Sequence, residues 1–169
     1  MDQQSIRNAP FVTPPQGIEP GWIDFNGHLN MAYYLLVFDR GYEAVARTLG
    51  MGATYAAERR MTTYTGDARV SYLREVHGDA RVVTTFQILD HDEKRLHAFQ
   101  EMRHETEGWL AATCETLTLH IDMAGPKVCP FPDDVLARIE AMAAAQADLP
   151  RPEGAGRPIG IRRKPQARP

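Results

Sequence analysis

At 169 residues and 19.0 kDa the chain has the size of one domain. Its 43% hydrophobic and 24% charged content exclude a mainly disordered chain. Nineteen Lys and Arg against 22 Asp and Glu give a net charge of −3, without the basic field of a nucleic-acid binder, and two cysteines with no CxxC pairing (Cys114, Cys129) exclude a disulfide framework or structural zinc site.

Taken in chain order, the start (MDQQSIRNAPFVTPP) is polar, lacks an apolar run, and is expected not to be a secretory signal. Four prolines within 1–21 predict an extended lead-in, with any strand there at a sheet edge. Over 29–50, Leu29, Ala32, Tyr33, Leu36, Val37, Gly41, Ala44, Val45 and Leu49 recur at three- and four-residue spacing. That predicts a long helix, capped by Asn30 and stopped at Gly50 and Gly52, with Asp39, Arg40, Glu43 and Arg47 on its polar side. Tyr34 and Phe38 widen the apolar stripe enough for the helix to be wrapped on more than one side.

Period-2 segments follow at 62–75, 80–90, 94–106 and 109–122, joined by short turns. In the first, Tyr64, Gly66, Ala68, Val70 and Tyr72 are assigned to one face and Thr65, Asp67, Arg69, Ser71 and Leu73 to the other. In the second, Val82, Thr84, Phe86 and Ile88 share a face; in the third, His97 and Phe99 face away from Leu96 and Ala98. The sheet is expected to be mainly antiparallel. A helix over 133–146, capped by Asp133 or Asp134, closes the pattern. Residues 148–169, rich in Pro and Arg, are expected to be a disordered tail, with 1–9 as a leader and 10–147 as the domain. One long apolar helix followed by one sheet predicts an α+β fold in which the sheet curls round the helix. No window approaches 18 consecutive apolar residues, so no spanning helix and no membrane partner are expected.

Chemistry concentrates just before the long helix, where Asp24, Gly27, His28 and Asn30 lie within seven residues. A helix N-terminus offers unpaired N–H groups and a positive dipole end suited to an oxyanion. A carboxylate beside it could attack a carbonyl or activate water. The same residues also suit a plain turn and cap, with His28 packed in the core.

The run Asp24-x-x-Gly27-His28-x-Asn30-x-x-x-Tyr34 resembles the signature of hotdog-fold acyl-CoA thioesterases of the 4-hydroxybenzoyl-CoA thioesterase type. The later run Tyr72-Leu73-Arg74-Glu75-Val76-His77-Gly78-Asp79 is similar to that family's second strand and Gly-Asp turn, and the likeness covers about 10–145. Residues 72–76, 94–97 and 119–130 (LHIDMAGPKVCP) are similar to the betainyl-CoA thioesterases of carnitine breakdown. The resemblance implies a hotdog fold and hydrolysis of an acyl-CoA substrate to carboxylate and CoA. It implies no cofactor or metal, and a homodimer or higher homo-oligomer with sites between subunits. Asp24 matches the catalytic carboxylate and the Met31 backbone N–H the group that polarises the carbonyl. Met31 replaces the motif's second Asn, so that side-chain amide is missing. His28, Asn30, Tyr34, Asp67 and Trp22 are the substrate-binding candidates. Trp22, Phe25, Tyr34 and Asp67 are candidates for a box round a quaternary ammonium, and Arg69, Arg74 and Arg95 for the CoA phosphates.

Two other functions are open to the same sequence. Asp24 and His28 could serve an enoyl-CoA hydratase or dehydratase on a hotdog fold, although the motif spacing is nearer the thioesterase form. A non-catalytic acyl-CoA binder, with Arg157, Arg162, Arg163, Lys164 and Arg168 contacting nucleic acid, is a third reading, though nucleic acid is not the expected partner. The six histidines show no HExxH spacing and Cys114 lies inside a strand, so neither a metal site nor a thiol nucleophile is expected. Unpaired cysteines suit a reducing cytoplasm.

Overall fold

The structure, a computed structural model, describes residues 9–161; the leader before them and 162–169 of the tail lie outside the described residues. Short strands β1 (Phe11–Val12) and β2 (Gln16–Gly17) and a 3-10 turn (Pro20–Trp22) lead into α1 (Met31–Thr48) and α2 (Ala53–Arg59). Then come β3 (Met61–Tyr72), β4 (Arg81–His91), β5 (Arg95–His104), β6 (Leu110–Asp122), β7 (Lys127–Val128) and α3 (Asp133–Ala145). Every strand pairing is antiparallel, in the order β1-β4-β5-β6-β3, with β2 also on β4 and β7 on β6. The proline-rich lead-in thus sits at an edge, as expected. Because β3 and β4 are not neighbours, the 73–80 loop carries the chain across the sheet, past the start of α1.

Asn30 caps α1 by accepting the Ala32 N–H at 3.1 Å. Tyr34, Val37, Phe38, Gly41, Val45 and Ala46 are its buried residues, a stripe at three- and four-residue steps that lies mainly over β4. Fully burying a large apolar side chain contributes roughly 1.5–3 kcal/mol, so this stripe fixes the helix on the sheet. Gly41 sets how near it comes: a Cβ there would lie 2.2 Å from Thr84 Oγ1. The first half of α1 packs with Val82, Met102, Ala112 and Cys114, the second with Phe86, Leu96, Tyr55 and Ile139.

The outer edge of β4 is closed by β1 and β2, and further along by Gln146. The Gln146 side chain accepts the Ile88 N–H and donates to the Phe86 carbonyl, taking the place of a neighbouring strand. The outer edge of β3 has no partner strand among the described residues.

Four features depart from the sequence reading. Gly66 in β3 is a bulge, since the register with β6 slips between Thr65 and Asp67. Alternation therefore reverses there: Thr65, Ala68 and Val70 face inward, toward α1 or the core, while Asp67 and Arg69 face outward. The helix α2 lies between the helix and the first strand that the sequence predicts, in a stretch to which it assigns no element; its seven residues are too few for a periodic signal. Pro132, and neither Asp133 nor Asp134, is the N-cap of α3. Asp134 is drawn instead to Arg59, which bonds both its oxygens at 2.6 and 3.0 Å.

The fourth correction concerns the tail. Segment 148–161 is ordered against the outer face of the sheet rather than disordered. The Pro150 carbonyl accepts from Gln87, the Gly154 carbonyl from Arg69, and the Gly156 N–H donates to both Glu115 oxygens at 2.9 Å. Glu115 also takes bonds from Arg69 and His97 at 2.8 Å. Burial alone would raise the Glu115 carboxyl, but these donors outweigh it and hold it below the usual range. Beside this latch, Phe99 is only 1% exposed although it faces outward, and it shares a cavity wall with 149–153.

His120 is buried, between Tyr55, whose hydroxyl is 2.6 Å from Nε2, and the Cys129 carbonyl, 3.1 Å from Nδ1. Burial pulls its pKa below the ordinary value, against the opposing pull of the Cys129 and Pro130 backbone. At neutral pH and above the imidazole is therefore uncharged in the fold. Above about pH 6.5 both states are neutral and its contribution is intact. As pH falls below that value the unfolded chain takes the proton first, so stability drops. His120→Gln is expected to flatten this part of the stability–pH curve, measured by urea unfolding between pH 7.5 and 5; an unchanged slope refutes the assignment.

Candidate active site

The motif loop is held by backbone bonds before any side chain acts. Ile23 pairs with Leu29, the Asp24 N–H donates to the His28 carbonyl at 2.9 Å, and the Gly27 N–H donates to the Asp24 carbonyl at 3.0 Å. The chain thus turns tightly over 24–27, with Gly27 at φ 85, where a side chain would be strained. Leu29 donates to the Val76 carbonyl at 2.7 Å and Asn30 to the Trp22 carbonyl at 2.9 Å, which fixes the turn to the crossing loop and the start of α1.

Asp24 accepts the Asn26 N–H on Oδ1 at 2.8 Å. At the helix start, Asn30 uses its side chain for the Ala32 N–H and its carbonyl for the Tyr33 N–H. The Met31 N–H is the donor this cap does not use, at the positive end of α1. Met31 itself is 66% exposed and Phe25, at the tip of the turn, 98%. Leu35, Tyr72 and Leu73 are also exposed on α1 and at the end of β3. His28 Nε2 lies 3.3 Å from Glu75, and His77 packs edge-on to His28 while donating from Nδ1 to the Gly27 carbonyl. This polar group flanks one side of the turn.

Tyr34 is buried under the helix start, its hydroxyl donating to the Arg74 carbonyl at 3.4 Å and its ring edge-on to Tyr72. Burial raises its pKa, and the charges of Glu75 and Asp24 add to the rise. Trp22 is buried, stacks on Tyr33 and lies under Arg40, 4.7 Å from the guanidinium. The expected aromatic box does not form: Trp22 is buried against Tyr33 and Arg40, Phe25 is in solvent, and Asp67 lies on the outer sheet face. Arg69 and Arg95 are tied to Glu115 and Asp92, and Arg74 lies over Trp109 at 4.2 Å.

Behind the helix start, a cavity of about 310 Å³ runs between α1 and the inner face of β5, β6 and β3. Ala32, Leu35, Leu36, Asp39 and Tyr42 line it from α1, and Thr65, Gln100, Cys114 and Thr116 from the sheet. The sequence reading placed Asp39 on the polar side of the helix. Helical phase would have exposed its role, because Ala32, Leu35, Asp39 and Tyr42 recur at three- and four-residue steps. Burial pushes the Cys114 thiol up to about 12, so it is a protonated wall residue rather than a nucleophile. Among the described residues no three His, Cys, Asp or Glu gather as a metal site would require.

A sheet wrapped round one long helix is the hotdog arrangement, and both the Asp24 turn and the cavity meet that helix near its start. The family model of the thioesterase-like superfamily matches residues 18–139, and the chain belongs to that superfamily. It is 39% identical over 142 residues to a betainyl-CoA thioesterase of Pseudomonas aeruginosa, covering 84% of this chain and 89% of that one. It is 33% identical over 146 residues to an L-carnitine dehydrogenase/betainyl-CoA thioesterase of Rhizobium meliloti, covering 86% of this chain and 29% of the longer relative. A Staphylococcus aureus protein solved in complex with CoA superimposes with a TM-score of 0.85 at 26% identity, over 92% of this chain and 98% of its own. The hotdog expectation thus holds.

Proposed function

We propose that this thioesterase hydrolyses betainyl-CoA or a near relative of it to the free carboxylate and CoA, with Asp24 and the Met31 N–H as the reacting groups. The observation that carries the reading is the Asp24 carboxylate on a turn whose backbone is bonded directly into the start of α1. The Met31 N–H takes the thioester oxygen and, as the carbonyl becomes tetrahedral, the oxyanion. Asp24 either attacks the carbonyl carbon, expelling the CoA thiolate to leave a mixed anhydride that water then hydrolyses, or removes a proton from a water that attacks and expels the thiolate directly; both routes need an ionised carboxylate. His28 and Asn30 shape the turn, and Tyr34 supports it from below. The chemistry calls for no metal or organic cofactor, since CoA belongs to the substrate. The names of the relatives support the betainyl group, and the unpaired cysteines support a cytoplasmic location. No described helix is long and apolar enough to cross a membrane.

The unpaired edge of β3 and the exposed Phe25, Met31, Leu35 and Leu73 support a homodimer that covers this side of the site. The test is thiol release by purified protein from betainyl-, 4-hydroxybenzoyl-, acetyl- and medium-chain acyl-CoA, with light scattering for assembly. Highest kcat/KM on betainyl-CoA and a mass of at least two chains are expected. Preference for an aryl or fatty ester removes the betainyl group; enoyl turnover without thiol replaces hydrolysis by hydration.

A further inference from the structure

We infer that Asp39, with the cavity it borders, binds the quaternary-ammonium end of an acyl group and selects cationic over neutral substrates. This rests on the thioesterase reading above. The cavity begins at Ala32, one residue past the Met31 N–H, so an acyl group held there by its carbonyl has this space before it. Its walls are mainly apolar, with the Phe38 and Tyr42 rings, and Asp39 is its one charged residue. No cation lies within ion-pair distance of Asp39 among the described residues, whereas Arg40 and Arg47 on the same helix reach Glu19 and Glu43. Burial holds the Asp39 carboxyl above its usual range, with the Glu43 charge adding.

A second, independent feature points to a ligand. Gln100 is 2% exposed and lines the same cavity, yet its Oε1 has no hydrogen-bond partner. A quaternary ammonium offers no N–H. It is held by a carboxylate, by ring faces and by oxygen atoms against its polarised methyl groups. Asp39, Tyr42, Phe38, Thr116 and Gln100 supply that set.

Met31 and Asp39 are eight residues apart, about 12 Å along the helix axis. An acyl chain held at both points by one α1 is therefore longer than betainyl, whose nitrogen lies only about 2.5 Å from its carbonyl carbon. A betainyl group reaches an Asp39 only if the α1 of a second copy lies alongside.

The experiment measures kcat/KM of the wild type and Asp39→Asn on two pairs of CoA esters. Betainyl is paired with the neutral isostere 3,3-dimethylbutanoyl, and 4-trimethylammoniobutanoyl with 5,5-dimethylhexanoyl. Asp39→Asn is expected to lower kcat/KM on a cationic ester at least about tenfold, mostly through KM, and to leave its isostere within about twofold. Asp39→Glu is expected to restore part of the difference. The acyl length showing the effect tells one-chain from two-chain binding. Equal losses on charged and neutral esters, or no loss on either, overturn the proposal. If the wild type releases thiol from no ester, the thioesterase reading fails. Calorimetry of glycine betaine and 4-trimethylammoniobutanoate against their tert-butyl analogues then decides the pocket: binding that is charge-selective and lost in Asp39→Asn sustains it, and its absence refutes it.

Discussion

Asp24→Asn is expected to lower kcat on the best CoA ester by at least about 100-fold, the size typical of losing a group that transfers protons in the transition state. The substitution isolates charge from architecture. An Asn side-chain oxygen can still accept the Asn26 N–H that Asp24 Oδ1 takes at 2.8 Å, so the turn survives. The backbone bonds from Asp24 to His28 and from Gly27 to Asp24 do not involve the side chain at all. The melting temperature should therefore stay close to wild type while thiol release collapses. A variant with full activity would show Asp24 to be a turn residue only, and the search for the reacting carboxylate would move elsewhere on the molecule.

Phe86→Ala is expected to cost about 3–5 kcal/mol, as truncation of a fully buried aromatic does. Phe86 is wholly buried at the centre of β4, packs against Tyr42 of α1, and pairs across the sheet with Phe11 and Gln100. Its carbonyl also receives the Gln146 amide. The deletion therefore opens a void where α1, α3 and the strands meet, with no exposed neighbour able to fill it cheaply. For a chain of this size each kcal/mol moves the melting temperature by roughly 2–4 °C, so a fall of about 6–20 °C is expected in a thermal melt. A loss below about 1 kcal/mol would mean that the cluster closes over the missing ring.

The sequence made α1, its Asn30 cap and the four long strands readable, because each has many residues repeating one period. Val82, Thr84, Phe86 and Ile88 needed only their alternation to be placed on one face. What stayed hidden lacks a repeat. Gly66 shifts β3 by one residue without changing its composition, so Tyr64 and Thr65 exchange the faces that simple alternation assigns them, while Asp67, placed near the acyl pocket by family resemblance, lies on the outer face. Segment 148–161 carries only Leu149, Ala155, Ile159 and Ile161 as apolar residues, with no helical or strand repeat; the sheet face holds it, through Glu115, Arg69 and the cavity beside Phe99. Phe99 was the available clue, since an aromatic side chain assigned to an outward, polar face needs a cover. The site divides in the same way. The turn and helix start are local and legible in the motif, whereas the cavity joins Asp39 to Gln100 and Thr116 from strands far along the chain, a tertiary pairing that no spacing encodes.

The bulge at Gly66 gives β3 two reading frames. Before it, Met61, Thr63 and Thr65 are the inward residues, with Thr63 bonded to Tyr42; after it, Ala68, Val70 and Tyr72 are. Deleting one residue there would restore an unbroken ladder and leave both halves facing as they do, at the cost of the local bend and twist that the bulge supplies. A one-residue deletion across 64–67 should therefore change the curvature of the strand and not which residues face α1, and a pairwise alignment with an unbulged strand keeps both halves in frame only with a one-residue gap at this point.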